Sequence, residues 1–169
     1  MKDKTIVVGS GDIASALKGV VREGTIFFAS GVSNSQETDE KQYKREIDLL
    51  LSQDKSKHLV YFGSLCIFYS KTRYARHKLW VETLVKKHFR QYTIIRLGNI
   101  NWGKNPHTLI NYFKNQKKEG NPLQIRDESR YICMKDEFIY WINIIPTFNC
   151  EMNISGRKMT IQEIVDEFV

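Results

Sequence analysis

Thr5-Ile-Val-Val-Gly-Ser-Gly-Asp-Ile-Ala14 is the stretch whose reading decides the fold. A short β-branched run, the kind that suits a pleated and half-buried strand, stops at Gly9-Ser-Gly11. A helix-like segment from Asp12 to about Arg22 follows. Strand, Gly-x-Gly-x-x-Ala turn and helix in that order are the context in which a backbone can cradle a dinucleotide pyrophosphate. The glycines let the main chain approach the phosphates, and the start of the helix offers N–H donors and positive potential. Ala14 is small enough for close helix–strand packing. The reading assigns Gly9, Ser10, Gly11, Asp12 and Ile13 to a cofactor; the plain alternative is a tight turn that binds nothing. About twenty residues on, where an acid would meet the cofactor ribose, the chain has Ser30-Gly31-Val32-Ser33 and no acid until Glu37.

Outward from that turn, strands and helices alternate. Thr25-Ile-Phe-Phe28 is an apolar run ending in Ala29-Ser-Gly31, and residues 38–52 carry Tyr43, Ile47, Leu50 and Leu51 at helical spacing. His58-Leu-Val-Tyr-Phe62 reads as a third strand, Thr72 to about His88 as a second long helix, and Tyr92-Thr-Ile-Ile-Arg96 as a fourth strand. Such alternation predicts a parallel sheet with crossover helices. Past Trp102 the pattern changes to a helix around His107 to Lys118, a short strand at Leu123-Gln-Ile125 and a helix from Asp136 to Ile145. A strand at Met152-Asn-Ile154 and a last helix complete it, with Thr160 as N-cap and Glu163 at the capping-box position. The predicted fold is a single α/β domain over 1–169: a reduced Rossmann-like parallel sheet with flanking helices over 1–103, and a small C-terminal substrate lobe over 104–169.

Composition narrows the function classes. The 169 residues suit one domain. The net charge of +7 comes from lysines and arginines spread among acids along helices and loops. That pattern fits a solvated surface first and a small anionic ligand such as a nucleotide second. Without a zinc pattern, basic arm or RNA-binding motif, no nucleic-acid partner is expected. No apolar run approaches the roughly 20 residues that span a bilayer, so no membrane partner is expected either. Met1-Lys-Asp-Lys-Thr5 moves straight towards a strand with no signal-peptide pattern. Cys66, Cys133 and Cys150 are odd in number and lack metal-type spacing, which predicts free thiols, a reducing cytoplasm and no metal site. His58, His88 and His107 show no ligand spacing, and His77 reads as a packed helix residue.

The candidate chemistry lies at Tyr74-Ala-Arg-His-Lys78, ten residues after Ser64. Tyr and Lys four apart on a helix share a face. A nearby ammonium favours the phenolate, so Tyr74 becomes a proton carrier, and Ser64 can hydrogen-bond the same substrate oxygen.

With the glycine turn, Ser64 and Tyr74/Lys78 in this order, the chain resembles the extended short-chain dehydrogenase/reductases, specifically the NAD-dependent sugar epimerase/dehydratase group. Val60-Tyr-Phe-Gly-Ser-Leu-Cys-Ile-Phe68 looks like that family's strand running into its serine, and Tyr74 to Glu82 is similar to its Y-x-x-x-K helix. Ile95-Arg-Leu-Gly-Asn99 through Gly103, Arg130-Tyr-Ile-Cys-Met-Lys-Asp136 and Asn153-Ile-Ser-Gly156 resemble its later segments. The resemblance implies NAD or NADP as cofactor and a nucleotide-linked sugar as substrate. Tyr74 would exchange a proton with the sugar while hydride moves to or from nicotinamide. Lys78 would lower the Tyr74 pKa and hold the nicotinamide ribose, Ser64 would position the reacting oxygen, and Asn99 and Arg130 would meet substrate phosphates. Ala29 and Ser30 would lie where the family's fourth strand passes under the cofactor. A homodimer through the helices at 38–52 and 72–88 is implied as well.

The chain departs from the family in length. If Thr25–Phe28 takes the fourth strand's place, the second and third strands, which hold the adenosine half of the cofactor, are missing. The first strand is then an exposed edge. If Phe28 instead ends the second strand, a strand pair is lost further on. The loop between Ser64 and Tyr74 is also short. These departures open a second reading: a degenerate nucleotide-binding or partner-binding module that keeps the fold without catalysis.

Overall fold

The computed structural model describes residues 4–169. The first residues of the Met1–Thr5 run lie outside the described residues. The chain runs β1 (Ile6–Val8), α1 (Asp12–Ala16), β2 (Thr25–Phe28), α2 (Glu40–Leu51), β3 (His58–Ser64) and a 3-10 turn (Leu65–Phe68). It continues through α3 (Arg73–His88), β4 (Tyr92–Leu97), β5 (Asn99–Ile100), α4 (Leu109–Lys118) and β6 (Ser129–Cys133). Last come α5 (Lys135–Asn143), β7 (Cys150–Ile154), β8 (Arg157–Thr160) and α6 (Ile161–Phe168).

Five strands form a fully parallel sheet in the order β1-β2-β3-β4-β7. β2 and β4 are buried along nearly their whole length, as is β3 up to Ser64. That is why they read as continuous apolar runs rather than alternating ones. Phe27, Val60, Phe62, Ile95 and Leu97 point to one face and pack with Leu17 after α1 and with Phe138 and Ile142 of α5. Ile26, Phe28, Leu59, Tyr61 and Ile94 point to the other, against Leu50 of α2 and Val81, Leu84 and Val85 of α3. A second sheet, β5-β6-β8, carries α4 and α6 on a separate core of Ile110, Phe113, Ile132, Met159, Ile161 and Ile164. The Thr160–Glu163 capping box forms at the start of α6, and Thr72 caps α3 by accepting from Ala75 N.

β2 pairs with β1 on one side and β3 on the other, a place that either strand assignment would give it. β1 is the sheet edge, with Ile6 and Val7 38% and 36% exposed. The connections through α1, α2 and α3 all step in one direction along the sheet. α2 and α3 lie on one face, while the α1 segment lies on the other. The first crossover therefore has the opposite hand to the next two. Since such crossovers are right-handed almost without exception, the α1 connection is the odd one out.

Several local expectations change. α1 ends at Ala16 rather than near Arg22, because the chain turns through Gly19 with φ 88°, a left-handed conformation that stops a helix. Leu123-Gln-Ile125 joins no ladder, and the strand lies at Ser129–Cys133 instead. β8 was not foreseen; Arg-Lys-Met-Thr has a single buried apolar residue, Met159, and gives no strand signal. The residues after 103 do not stay together as one lobe: α5 packs on the first core and β7 joins the first sheet, whereas β5 opens the second.

Candidate active site

The carboxyl ends of β1 to β4 open onto one cleft of about 840 Å³, the place where parallel α/β sheets bind ligands. Every residue singled out from the sequence except Gly9 lines it: Ser10 to Ile13, Ala29, Ser30, Ser64, Tyr74, Lys78, Asn99 and Arg130. Gly9 sits behind, at φ 128°, where a Cβ would fall 2.3 Å from the Ala29 carbonyl oxygen. Its role is the close approach of β1 to β2. Gly11 differs: its φ is −76°, and a Cβ there would meet nothing within 4 Å. The space over Gly11 is open to the cleft. Asp12 accepts from Lys104 N and Asn105 N, both at 3.0 Å, and ties the glycine turn to the 103–105 loop. Arg45 donates to the Ser30 hydroxyl at 3.1 Å and to the Ser30 carbonyl at 3.0 Å.

Ser64 ends β3, where its Oγ accepts from Cys66 N at 3.2 Å, and it lines the cleft together with Tyr74. The strand end is fixed by Arg96, which forks onto Glu82 at 2.9 and 2.6 Å and also reaches Glu151 at 2.5 Å. Gly63 leaves room for that carboxylate; a Cβ would come within 2.9 Å of it. At the far side, Arg130 pairs with Glu128 at 2.8 Å, and Asn99 donates to the Tyr131 carbonyl at 3.3 Å. Among the described residues no three His, Cys, Asp or Glu side chains cluster to hold a metal ion, and no helix is long and apolar enough to cross a membrane.

Tyr74 and Lys78 do share a face of α3, with Lys78 Nζ 5.5 Å from the Tyr74 ring centre. The net electrostatic effect is the reverse of that expected from the spacing. Burial pushes the Tyr74 phenol up, Lys78 offsets only part of this, and Cys66 and Glu46 push it further. Lys78 is already engaged with Glu46 at 3.1 Å, both side chains being buried. Burial disfavours the Lys78 ammonium, but Glu46 and Tyr74 outweigh it and hold its pKa above the ordinary value.

Glu46 is the site residue that sequence reading missed. A signal was there: Glu46 falls between Tyr43 and Ile47 on the very stripe of α2 that also carries Leu50. A charge at a core position of an amphipathic helix asks for a buried partner.

No protein-family model matches the chain, and no curated protein matches it in sequence. Solved structures do match its fold. WbmG from Bordetella bronchiseptica, determined with NAD and UDP, aligns with TM-score 0.65 and 15% identity over 90% of this chain and 57% of its own. WbmH from the same organism, determined with NAD+, aligns with TM-score 0.77 and 12% identity over 98% and 80%. A UDP-N-acetylglucosamine 4-epimerase from Methanobrevibacter ruminantium, in complex with UDP-N-acetylmuramic acid, gives TM-score 0.67 and 15% identity over 98% and 81%. At these identities the likeness establishes the fold, a reduced Rossmann-like α/β sheet. The chain spans little more than half the length of WbmG.

Proposed function

We propose that the protein is an NAD(P)-dependent epimerase, dehydratase or reductase acting on a nucleotide-linked sugar. One observation carries this reading: Ser64, Tyr74 and Lys78 converge on the same cleft as the open glycine turn at one end and Arg130 at the other. The fold neighbours, which hold NAD, UDP or a UDP-sugar, support it. The residues present fit half of a dinucleotide well. The open space over Gly11 accepts a pyrophosphate that a side chain would displace, and Ala29, Ser30, Tyr74 and Lys78 line the wall beside it. The adenosine half meets the β1 edge, beyond which no strand lies among the described residues, so binding is weak. The sequence has no acid between Ala29 and Gln36 to select NAD over NADP.

When bound, the dinucleotide supplies or accepts the hydride. Tyr74 holds the proton for the reacting oxygen, and Ser64 orients that oxygen. Asn99 and Arg130 meet the phosphates of the sugar nucleotide. We further propose a homodimer through α3, where Leu79 and Trp80 are 52% and 54% exposed. On α2 the stripe of Tyr43, Ile47 and Leu50 is already used against the sheet and α3. The three free thiols suit a reducing cytoplasm.

Calorimetry with NAD, NADH, NADP and NADPH at millimolar concentration tests the reading. Measurable heat with at least one is expected, and none with any of the four overturns it. Turnover of a UDP-sugar is expected to vanish in Tyr74→Phe with affinity for the dinucleotide nearly intact. Light scattering on the same sample is expected to give twice the 19.8 kDa chain mass; a single-chain mass rejects the dimer. The exposed edge at β1 favours the second reading, a binding module that has lost catalysis. UDP-sugar binding with no turnover under any cofactor decides for it.

A further inference from the structure

Three lysine or arginine side chains line the cleft among the described residues: Arg45, Lys78 and Arg130. Lys78 is matched by Glu46 at 3.1 Å, and Arg130 by Glu128 at 2.8 Å. The one carboxylate of the lining, Asp12, is taken up by the Lys104 and Asn105 amides. Arg45, on α2, is held differently. Its Nε donates to the Gln42 side-chain oxygen at 3.3 Å, and its terminal nitrogens donate to the Ser30 hydroxyl at 3.1 Å and the Ser30 carbonyl at 3.0 Å. All these acceptors are neutral, so the bonds fix the guanidinium without matching its charge. A guanidinium has further N–H donors to offer. The Ser30 hydroxyl accepts from Arg45, which leaves its own hydrogen free to donate to a ligand.

The place of this pair in the cleft narrows what it can meet. β2 lies beside β3 with Phe28 opposite Tyr61, so residues 29–31 leave the sheet next to the end of β3, where Ser64 lies. Gly31, the residue after Ser30, lies against Lys78: a Cβ there would fall 2.6 Å from Lys78 Nζ, which is itself 5.5 Å from the Tyr74 ring centre. The dinucleotide pyrophosphate already has the open space over Gly11, and the sugar nucleotide's phosphates have Arg130. What remains for Arg45 is an anion on the reacting sugar itself. We infer that Arg45 and the Ser30 hydroxyl form a carboxylate subsite, and that the preferred substrate is a nucleotide-linked sugar acid rather than a neutral hexose. The rest of the ligand rests on the proposed function. A carboxylate gives Arg45 charge-assisted hydrogen bonds, about twice as strong as neutral ones. A hydroxymethyl group in the same place offers a neutral oxygen and leaves the guanidinium charge unmatched. Because the guanidinium is already held, little side-chain freedom is lost when the carboxylate arrives.

The test compares two probes that differ at one carbon, UDP-glucuronic acid and UDP-glucose, by calorimetry on the full chain with NAD present. The unmodified protein is expected to bind the acid about tenfold more tightly. In Arg45→Gln the preference is expected to fall below about threefold, with affinity for UDP-glucose little changed. Arg45→Lys restores the charge without the planar fork and is expected to recover part of the preference. Ser30→Ala, which keeps the carbonyl that holds Arg45, is expected to lose a smaller part. Equal affinity for the two probes in the unmodified protein overturns the inference whether or not any variant folds. So does an equal loss for both probes in Arg45→Gln, which would assign Arg45 to the phosphates. Either result leaves the proposed function standing. Binding of neither UDP-sugar removes the proposed function, and the inference falls with it. A preference for the acid in a protein that turns over neither probe keeps the inference and favours the binding module.

Discussion

β3 and β1 belong to one sheet and end at one cleft, yet they are built differently. β3 has seven residues and a hydrogen-bonded strand on each side. Six of those residues are buried, and it ends in Ser64 with the Arg96–Glu82 pair bracing its tip. β1 has three residues, one partner strand, and exposed Ile6 and Val7. The Ser64 end of the cleft thus follows a strand paired on both sides, and the glycine-turn end follows an edge strand paired on one. Support is concentrated at the strand that leads into Ser64.

The largest expected effect sharpens that contrast in stability. Phe27 is fully buried and stacks near Phe62; Phe27→Ala is expected to cost about 3–5 kcal/mol. Ile6→Ala on the exposed edge is expected to change stability by only about 0.5 kcal/mol. Urea midpoints compare the two, and equal losses would break the contrast. Next come the two glycines of the turn. Gly9→Ala drives a methyl into the Ala29 carbonyl at a left-handed φ and is expected to cost about 1–3 kcal/mol. Gly11→Ala meets open space at an ordinary φ and is expected to leave the melting temperature unchanged while weakening dinucleotide binding. Loss of stability in Gly11→Ala, or unchanged affinity, contradicts the assignment of the open space to a phosphate.

The smallest effect is on acid stability. His58 is lowered by burial first and by Arg22 second, so the unfolded chain takes up that proton before the folded one does. Stability is therefore expected to fall as pH drops below about 6.5. Glu46, held low by its donors, contributes stability that is present above about pH 4.3 and lost as pH falls below it. Denaturant titrations from pH 8 to 3 are expected to show both limbs. Glu46→Gln should flatten the lower one and leave the upper.

The parallel core was legible because β2, β3 and β4 are buried on both faces and carry apolar residues throughout. The glycine turn and the Tyr74–Lys78 face were legible because their spacing is local. What was not legible depended on distance in sequence. Glu46 meets Lys78 thirty-two residues on, and no local pattern reveals that a lysine's charge has already been matched. The ladder of β6 with β8 joins residues such as Arg130 and Met159, and neither strand alone has an alternation that announces it. α1 was overread because a helical pattern through Arg22 says nothing of the reversal at Gly19.

The opposite hand of the first crossover makes residues 18–24 a seam in the chain. With strands added beyond β1, the path out of α1 would turn the other way, towards the open edge, and the wrong-handed step straight to β2 would disappear. The seam is thus a natural graft point. Two strand–helix units spliced there would extend the sheet without moving β3, Ser64 or α3, and a gain in dinucleotide affinity would report their arrival.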